Sequence, residues 1–289
     1  MLTLVPTPIG NLEDITLRAL RVLKDADVIA CEDTRTSSVL LRHYGIDRPL
    51  TSFHLHNENE RLPQLLERLR QGENIAVISD AGTPGISDPG WILLKRAQDE
   101  GLEVDVLPGA SAVIPAVLLS GLSPQPFMFA GFPPEKGGER AKFFAGLKEA
   151  KCTLCFYLSP HKAEKHITDM LGAFGNRKAS LVREVSKMFQ EVIRSDLAGL
   201  AERVRDGVKG ELVLVVEGAQ DEEADSWQEE ARAMLEEGMS VKDITRKLDG
   251  RAPKNQVKQF ILRREKSKIY DIRNSGGNTN IGTGENILC

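Results

Sequence analysis

The apolar run Asn74-Ile-Ala-Val-Ile78 passes directly into Ser79-Asp-Ala-Gly-Thr-Pro-Gly-Ile-Ser-Asp-Pro-Gly90, which opens onto Trp91-Ile-Leu-Leu-Lys-Arg-Ala97. A short apolar run bounded by turn formers reads as a buried strand, and the stretch after it as a helix, so the segment between is a strand-to-helix loop. Asp88 is positioned to cap that helix and Pro89 to fill its first turn, which leaves Asp80 to Ser87 as the free bend. In open parallel sheets a loop at the carboxyl end of a strand is where ligands bind, because glycines and small side chains let a ligand reach the backbone. The same residues also suit a plain tight turn, and residue types alone leave both readings open.

The first half of the chain repeats this strand-helix alternation, the pattern of a parallel sheet covered on both faces. Strands are expected at 2–5, 27–30, 74–78 and 103–106. Helices are expected at 16–23, capped by Asp14 or Thr16, at 36–44 ending on Gly45, at 91–99, and beyond Pro108-Gly-Ala-Ser-Ala112. Leu62, Leu65, Leu66 and Leu69 hold the spacing of one buried helix face. Composition changes near Leu122-Ser-Pro-Gln-Pro126, which sets a domain boundary. Strands then follow at 127–132, 153–158, 181–185, 190–194 and 212–217. The third and fourth of these lie too close together for a helix between them, so they form a hairpin and the second sheet is mixed.

The expected organisation is therefore an α/β fold of two domains, a parallel N-terminal domain over 1–121 and a mixed-sheet domain over 122–218. An acidic linker and helix at 219–237, a small basic helical appendage at 238–270 and a disordered tail at 271–289 follow. Residues 219–237 hold eight acids against Arg232, whereas 238–270 hold ten bases against Asp243, Asp249 and Glu265. Within the appendage, Val241, Ile244 and Leu248 form one apolar stripe and Val257, Phe260 and Ile261 another. A basic face after an acidic spacer suits a polyanion such as RNA, and a solvated helix face is the alternative.

With 289 residues, 41% apolar and 28% charged, the chain has material for a sizeable core, and no apolar run approaches membrane-spanning length. A cytoplasmic location is expected, without membrane association. Cys31, Cys152, Cys155 and Cys289 are too few and scattered for a disulfide framework, and the Cys152/Cys155 pair lies on a strand where residues three apart face opposite ways. No zinc-protease, nucleophile-elbow or Walker motif is present, and His54 with His56 lacks a completing carboxylate or cysteine, so no metal is expected.

Several segments together resemble the tetrapyrrole-methylase superfamily of S-adenosylmethionine-dependent enzymes. They are the opening Leu4-Val-Pro-Thr-Pro-Ile-Gly-Asn11 with its continuation to Leu20, the loop Ser79 to Gly90, and Leu107-Pro-Gly-Ala-Ser-Ala112. More narrowly, Thr7 to Asn11, Cys31-Glu-Asp-Thr-Arg35, Asp80-Ala-Gly-Thr-Pro84 and Arg183-Glu-Val-Ser-Lys187 are similar to its ribosomal RNA branch. The resemblance implies 2'-O-methylation of a decoding-centre cytidine in 16S rRNA by a homodimer, the partner being 16S rRNA or the small ribosomal subunit. Tetrapyrrole-directed members carry Gly-Asp-Pro where this chain has Gly82-Thr83-Pro84, so a role for that aspartate does not carry onto Thr83, although Asp80 lies close by.

The resemblance further implies a donor site against Pro8, Asp80, Gly82, Thr83, Pro84, Ile86 and Ser87, with Ser111, Ala112 and the strand end Phe156, Tyr157 and Leu158. A ribose hydroxyl needs an outlet for its proton. Arg183, Glu184 and Lys187 are the catalytic candidates: Glu184 as an acceptor, Arg183 on a phosphate, and Lys187 as a base if desolvation lowers its pKa. An exposed ion-paired hairpin is the competing reading of those residues. Asn11, Asp33, Arg35, His54, Asn57 and Glu58 offer donors and acceptors suited to a flipped nucleotide, and Lys254 and Lys258 suit phosphates. Two rival functions remain open: methylation of a tetrapyrrole or other small molecule, and a non-catalytic ribosome-assembly or RNA-binding role.

Overall fold

The computed structural model describes residues 1–220 and 222–262, and its contacts divide the chain into one unit over Met1–Ala219 and a second over Gln220–Cys289. The first unit is built on two five-stranded sheets. Strands β1 (Leu2–Leu4), β2 (Val28–Cys31), β3 (Leu50–Ser52), β4 (Ile75–Ile78) and β5 (Val104–Val106) form the first, in the order β3-β2-β4-β1-β5, with every pairing parallel. The connecting helices are α1 (Leu17–Asp25), α2 (Thr34–His43), α3 (Glu58–Arg70) and α4 (Trp91–Asp99).

Strand periodicity explains why this sheet needs helices on both sides. Val28, Ala30, Ile75 and Val77 pack with Leu65, Leu66, Leu69, Leu93 and Leu94 of α3 and α4. The alternate residues Ile29, Cys31, Ala76 and Ile78 pack with Leu23 and Leu41 of α1 and α2. Thr16 rather than Asp14 caps α1, its hydroxyl accepting the Ala19 amide. The sequence reading has no counterpart of β3, three half-buried residues at the sheet edge with too little apolar character to register.

The second sheet has the order β6-β7-β10-β8-β9, from β6 (Phe127–Gly131), β7 (Thr153–Leu158), β8 (Lys178–Arg183), β9 (Glu191–Asp196) and β10 (Leu212–Val216). Only β6 and β7 pair in parallel; the other three pairings are antiparallel, and β8 and β9 make the expected hairpin. One face buries Leu154, Phe156, Leu181 and Leu214 against α6 (Gly137–Leu147), α7 (Ala163–Phe174) and α8 (Leu197–Arg203). The other buries Cys155, Val182, Val213 and Val215 against Val113, Ala116 and Val117 of α5 (Val113–Ser120). Helix α5, which follows the last strand of the first sheet, therefore covers the second sheet.

The second unit holds α9 (Glu222–Glu236), α10 (Val241–Lys247) and a helical run over residues 254–262. Most of the acidic stretch is thus helix. Trp227, Ile244, Leu248, Val257 and Ile261 close a small core, with the Trp227 and Phe260 rings edge to face at 5.6 Å. The basic residues Arg263, Arg264, Lys266 and Lys268 and the expected disordered tail lie outside the described residues. No helix among the described residues is long and apolar enough to cross a membrane.

Candidate active site

A cavity of about 520 Å³ opens where the strand ends of both sheets meet. Ile9 reaches it from the loop after β1, Glu32 from after β2, Asp80 to Thr83 and Ile86 to Asp88 from after β4, and Ser111 to Val113 from after β5. The second sheet contributes Phe132 beyond β6, Tyr157 to Pro160 at the end of β7, Val185 beyond β8, and Glu211 to Val213 leading into β10. A parallel sheet aims its carboxyl-end loops one way, so four separate stretches of sequence reach one place.

The loops are stitched together by backbone. Thr7 and Gly82 exchange amide and carbonyl in an isolated antiparallel bridge, at 2.9 and 3.0 Å, and the Thr7 hydroxyl donates to the Ser79 carbonyl at 3.1 Å. Gly82 turns there with φ of +84°, and a Cβ on it would stand 3.3 Å from Ile9, so glycine serves both the turn and the close approach. The Thr83 hydroxyl donates to the Ala110 carbonyl at 3.0 Å, tying the β4 loop to the β5 loop. Asp80 Oδ1 accepts the Asp33 amide at 3.2 Å, which joins the start of α2 to the same cluster.

The helix-start reading of Asp88 and Pro89 is corrected. Helix α4 begins at Trp91 with Gly90 at its N-cap, at φ of +128°, and no side chain of its own caps it. The cap role falls partly to Glu58, only 5% exposed, whose Oε1 accepts the Gly90 amide at 3.3 Å. Asp88 is freed to line the cavity, beside Asp80 and Glu32. Burial pushes all three carboxyls up, and their charges reinforce it: Glu32 feels Asp88 and Asp80, and Asp88 feels Asp80. The opposite wall is apolar, with Leu158, Leu212 and Val213 around Tyr157, whose ring meets Phe129 at 4.8 Å and Phe132 at 5.3 Å. Burial, then negative neighbours including Asp88 and Glu211, pushes the Tyr157 phenol up to about 12, so it stays a hydrogen-bond donor.

Of the donor-site candidates, Asp80, Gly82, Thr83, Ile86, Ser87, Ser111, Ala112, Tyr157 and Leu158 line this cavity. Pro8 and Pro84 are buried beside the loop without reaching the lining, and Phe156 faces the far core, one strand position out of phase with Tyr157.

Arg183, Glu184 and Lys187 sit at the end of β8 on the cavity's edge. Glu184 Oε1 accepts the Lys187 ammonium at 3.0 Å and the Glu211 amide at 2.8 Å, while Lys187 also pairs with Glu211 at 3.3 Å. Desolvation alone would lower the Lys187 pKa, but the two carboxylates outweigh it and hold the pKa raised. The lowered pKa on which a lysine base was conditional is therefore not what this setting gives. Glu184 is held low by the Glu211 amide and by Lys187. Arg183 pairs with Glu191 at 3.1 Å. The aliphatic stem of Lys187 lies against Gly10, where a Cβ would be 2.2 Å from it, and the Ser186 hydroxyl bonds Asp14.

The nucleotide-contact candidates divide. Asp33 caps α2, accepting the Arg35 amide at 2.8 Å, and its pairing with the Arg35 side chain helps lower its carboxyl to about 2. Asn57 holds the turn before α3, its Oδ1 accepting the His54 amide at 2.8 Å, and Glu58 is turned inward. Asp33 and Asn57 are occupied by local structure, and Glu58 by its long-range bond to Gly90. Asn11 is exposed, with its Oδ1 accepting the Glu13 amide; Arg35 is exposed, and the His54 Nδ1 is buried without a partner. Lys254 and Lys258 are exposed in the second unit, Lys254 paired with Asp249 at 2.9 Å. Among the described residues no group of three His, Cys, Asp or Glu side chains is placed to hold a metal.

Sequence reasoning missed Glu32, Asp88, Phe132, Val185 and Glu211. Glu32 and Val185 lie inside motifs already singled out, whereas Phe132 and Glu211 stand alone at strand ends and carry no local signal.

Residues 1–201 match the family described as Tetrapyrrole (Corrin/Porphyrin) Methylases. Proteins named ribosomal RNA small subunit methyltransferase I are similar along most of the chain. That of Streptococcus pyogenes serotype M3 (strain ATCC BAA-595 / MGAS315) is 46% identical over 76% of this chain and 77% of its own length. The Bacillus subtilis (strain 168) protein is 40% identical over 89% and 92%, respectively. A crystal structure of diphthine synthase superposes with a TM-score of 0.59 at 15% identity, covering 75% of this chain and 89% of that one. A cobalt precorrin-4 methyltransferase gives 0.54 at 18%, covering 74% and 93%.

Proposed function

The chain belongs to the tetrapyrrole (corrin/porphyrin) methylases, and from that premise we propose that it methylates small-subunit ribosomal RNA, the acceptor being a decoding-centre cytidine 2'-hydroxyl in 16S rRNA. The observation that carries this reading is the 40% to 46% identity, over 76% to 89% of the chain, to proteins bearing the small-subunit methyltransferase name.

The methyl donor of the family is S-adenosylmethionine, and the cavity residues suit it. A volume of about 520 Å³ is in the range of small-molecule sites. Asp80, Asp88 and Glu32 give one wall a negative field for a cationic ligand, while Tyr157, Leu158, Leu212 and Val213 give the other an apolar surface for a flat ring. Bound there, the donor supplies an electrophilic methyl on sulfur. The protein's part is to align that methyl with the acceptor oxygen and to exclude water, so few chemical groups are required.

Lys187, held protonated, acts as a fixed positive charge at the cavity's edge with Arg183, and Glu184 positions it. Burial raises the Glu32 and Asp88 carboxyls, which face the cavity as hydrogen-bond acceptors for the acceptor hydroxyl. The rRNA reading is favoured over a tetrapyrrole acceptor by the sequence relatives; likeness at 15% to 18% identity to the solved structures speaks for fold alone. A cytoplasmic homodimer fits a ribosome-directed enzyme of this family.

Purified protein given labelled donor and offered small ribosomal subunits, naked 16S rRNA and a tetrapyrrole precursor in parallel tests this. Label on the ribosomal RNA is expected. Label confined to the tetrapyrrole, or donor binding with no transfer to any acceptor, would overturn it.

A further inference from the structure

A second cavity in the first unit, about 480 Å³, lies at the far end of α2 and takes no part in the site above. Leu41, Ile46 and Leu50 form its apolar side, and Arg42, Arg48 and Asp47 are its charged residues. Both arginines are exposed, and no ion pair among the described residues engages either of them. Two guanidiniums against a single carboxylate leave the groove net positive.

Helix α2 connects this groove to the methyl-transfer cavity. Its start is bonded to the cavity through the Asp33 amide and Asp80, and its ten residues span roughly 15 Å. Arg35, Ser38, Val39 and Arg42 fall at i, i+3, i+4 and i+7, so they share one face, while Ser37 and Leu41 turn to the core. Arg35, with a side chain 89% exposed, stands at the cavity end of that face, and Arg42 stands at the groove end with Arg48.

We propose that the Arg42–Arg48 groove is a phosphodiester-binding site that holds the RNA backbone a few nucleotides from the reacting ribose, with Arg35 between them on the same track. The inference rests on the RNA-methylating reading above. Arginine suits the role because its planar fork takes phosphate oxygens in pairs and stays charged at every working pH. The apolar wall leaves room for a sugar face, and charge complementarity favours a polyanion over a second copy of a chain whose net charge is -4.

The test uses the full chain carrying Arg42→Gln and Arg48→Gln, both exposed positions, beside an Arg42→Lys/Arg48→Lys control. Binding of 16S rRNA is measured by filter retention across a salt series, and donor binding by calorimetry. The glutamine variant should bind RNA roughly tenfold more weakly near 0.1 M salt, with the slope of log affinity against log salt reduced by roughly 1 to 2. The lysine variant should keep most of the slope, KM for subunits should rise in the glutamine variant, and donor affinity should match wild type. An unchanged affinity and slope would overturn the proposal, as would a shift in sedimentation with RNA binding intact, which would mark the groove as a contact between copies. Failure of the wild-type protein itself to bind or methylate RNA would instead bring down the underlying reading.

Discussion

Two carboxylates, Asp88 in the cavity lining and Glu184 at the end of β8, carry opposite pH signatures. Glu184 is held low by the Glu211 amide and by Lys187, so its contribution to stability is complete above its ordinary value of 4.5 and is lost as pH falls through the lowered one. Asp88 is pushed up by burial and by Asp80, so its charged form costs stability at neutral pH and the cost is relieved as pH falls toward 3.8. Asp88→Asn should therefore melt higher than wild type at pH 7, with the gain vanishing near pH 4 in a thermal-melt series. The same variant should bind the cationic donor roughly tenfold more weakly by calorimetry, having lost a charged partner. Lys187→Met leaves Glu184 without its cation and should cost roughly 1 kcal/mol in urea denaturation, a modest figure because both side chains still touch water. If Lys187 were the base, its removal would abolish the basic limb of the pH–rate profile; the raised pKa predicts that the limb persists.

The loop after β4 shows how an element's role can be legible while its internal division is not. Residues 79–90 are identifiable as a strand-to-helix loop because glycines and proline interrupt the passage, and residues 80–83 and 86–88 of it line the cavity. Asp88-Pro89 carried a helix-start pattern that tertiary packing overrode: Glu58, thirty-odd residues earlier, accepts the Gly90 amide and leaves Asp88 to the cavity. Long-range substitution of one cap by another leaves no trace in local sequence. Gly90→Ala would force φ of +128° on a residue with a Cβ and should cost roughly 1–3 kcal/mol in urea denaturation. Glu58→Ala should lose a similar roughly 1–3 kcal/mol by leaving a buried amide unmet, and Glu58→Gln, which keeps an acceptor, should lose less. Strand β3 escaped notice for a simpler reason, since three half-buried residues show no period.

Across the molecule, the strand patterns gave every strand but β3 and gave the hairpin, because each strand's two faces meet different helices and leave that division written in the residues. The meeting of the two sheets at one cavity was not written there. It was reachable only through the resemblance, which tied together the loops after β1, β2, β4 and β8 that the structure brings into contact. Among the described residues every one that lines the cavity falls within 1–219, and a chain ending there should keep wild-type donor affinity by calorimetry. It should bind 16S rRNA more weakly and with a flatter salt dependence, having lost the basic residues of 238–270. The central claim is that this cavity delivers a methyl to a ribose oxygen of small-subunit RNA. Its most direct test is mass spectrometry of nucleosides released from small subunits treated with the protein and S-adenosylmethionine: the account predicts 2'-O-methylcytidine, and a methyl found on a base, or no methylated nucleoside at all, would contradict it.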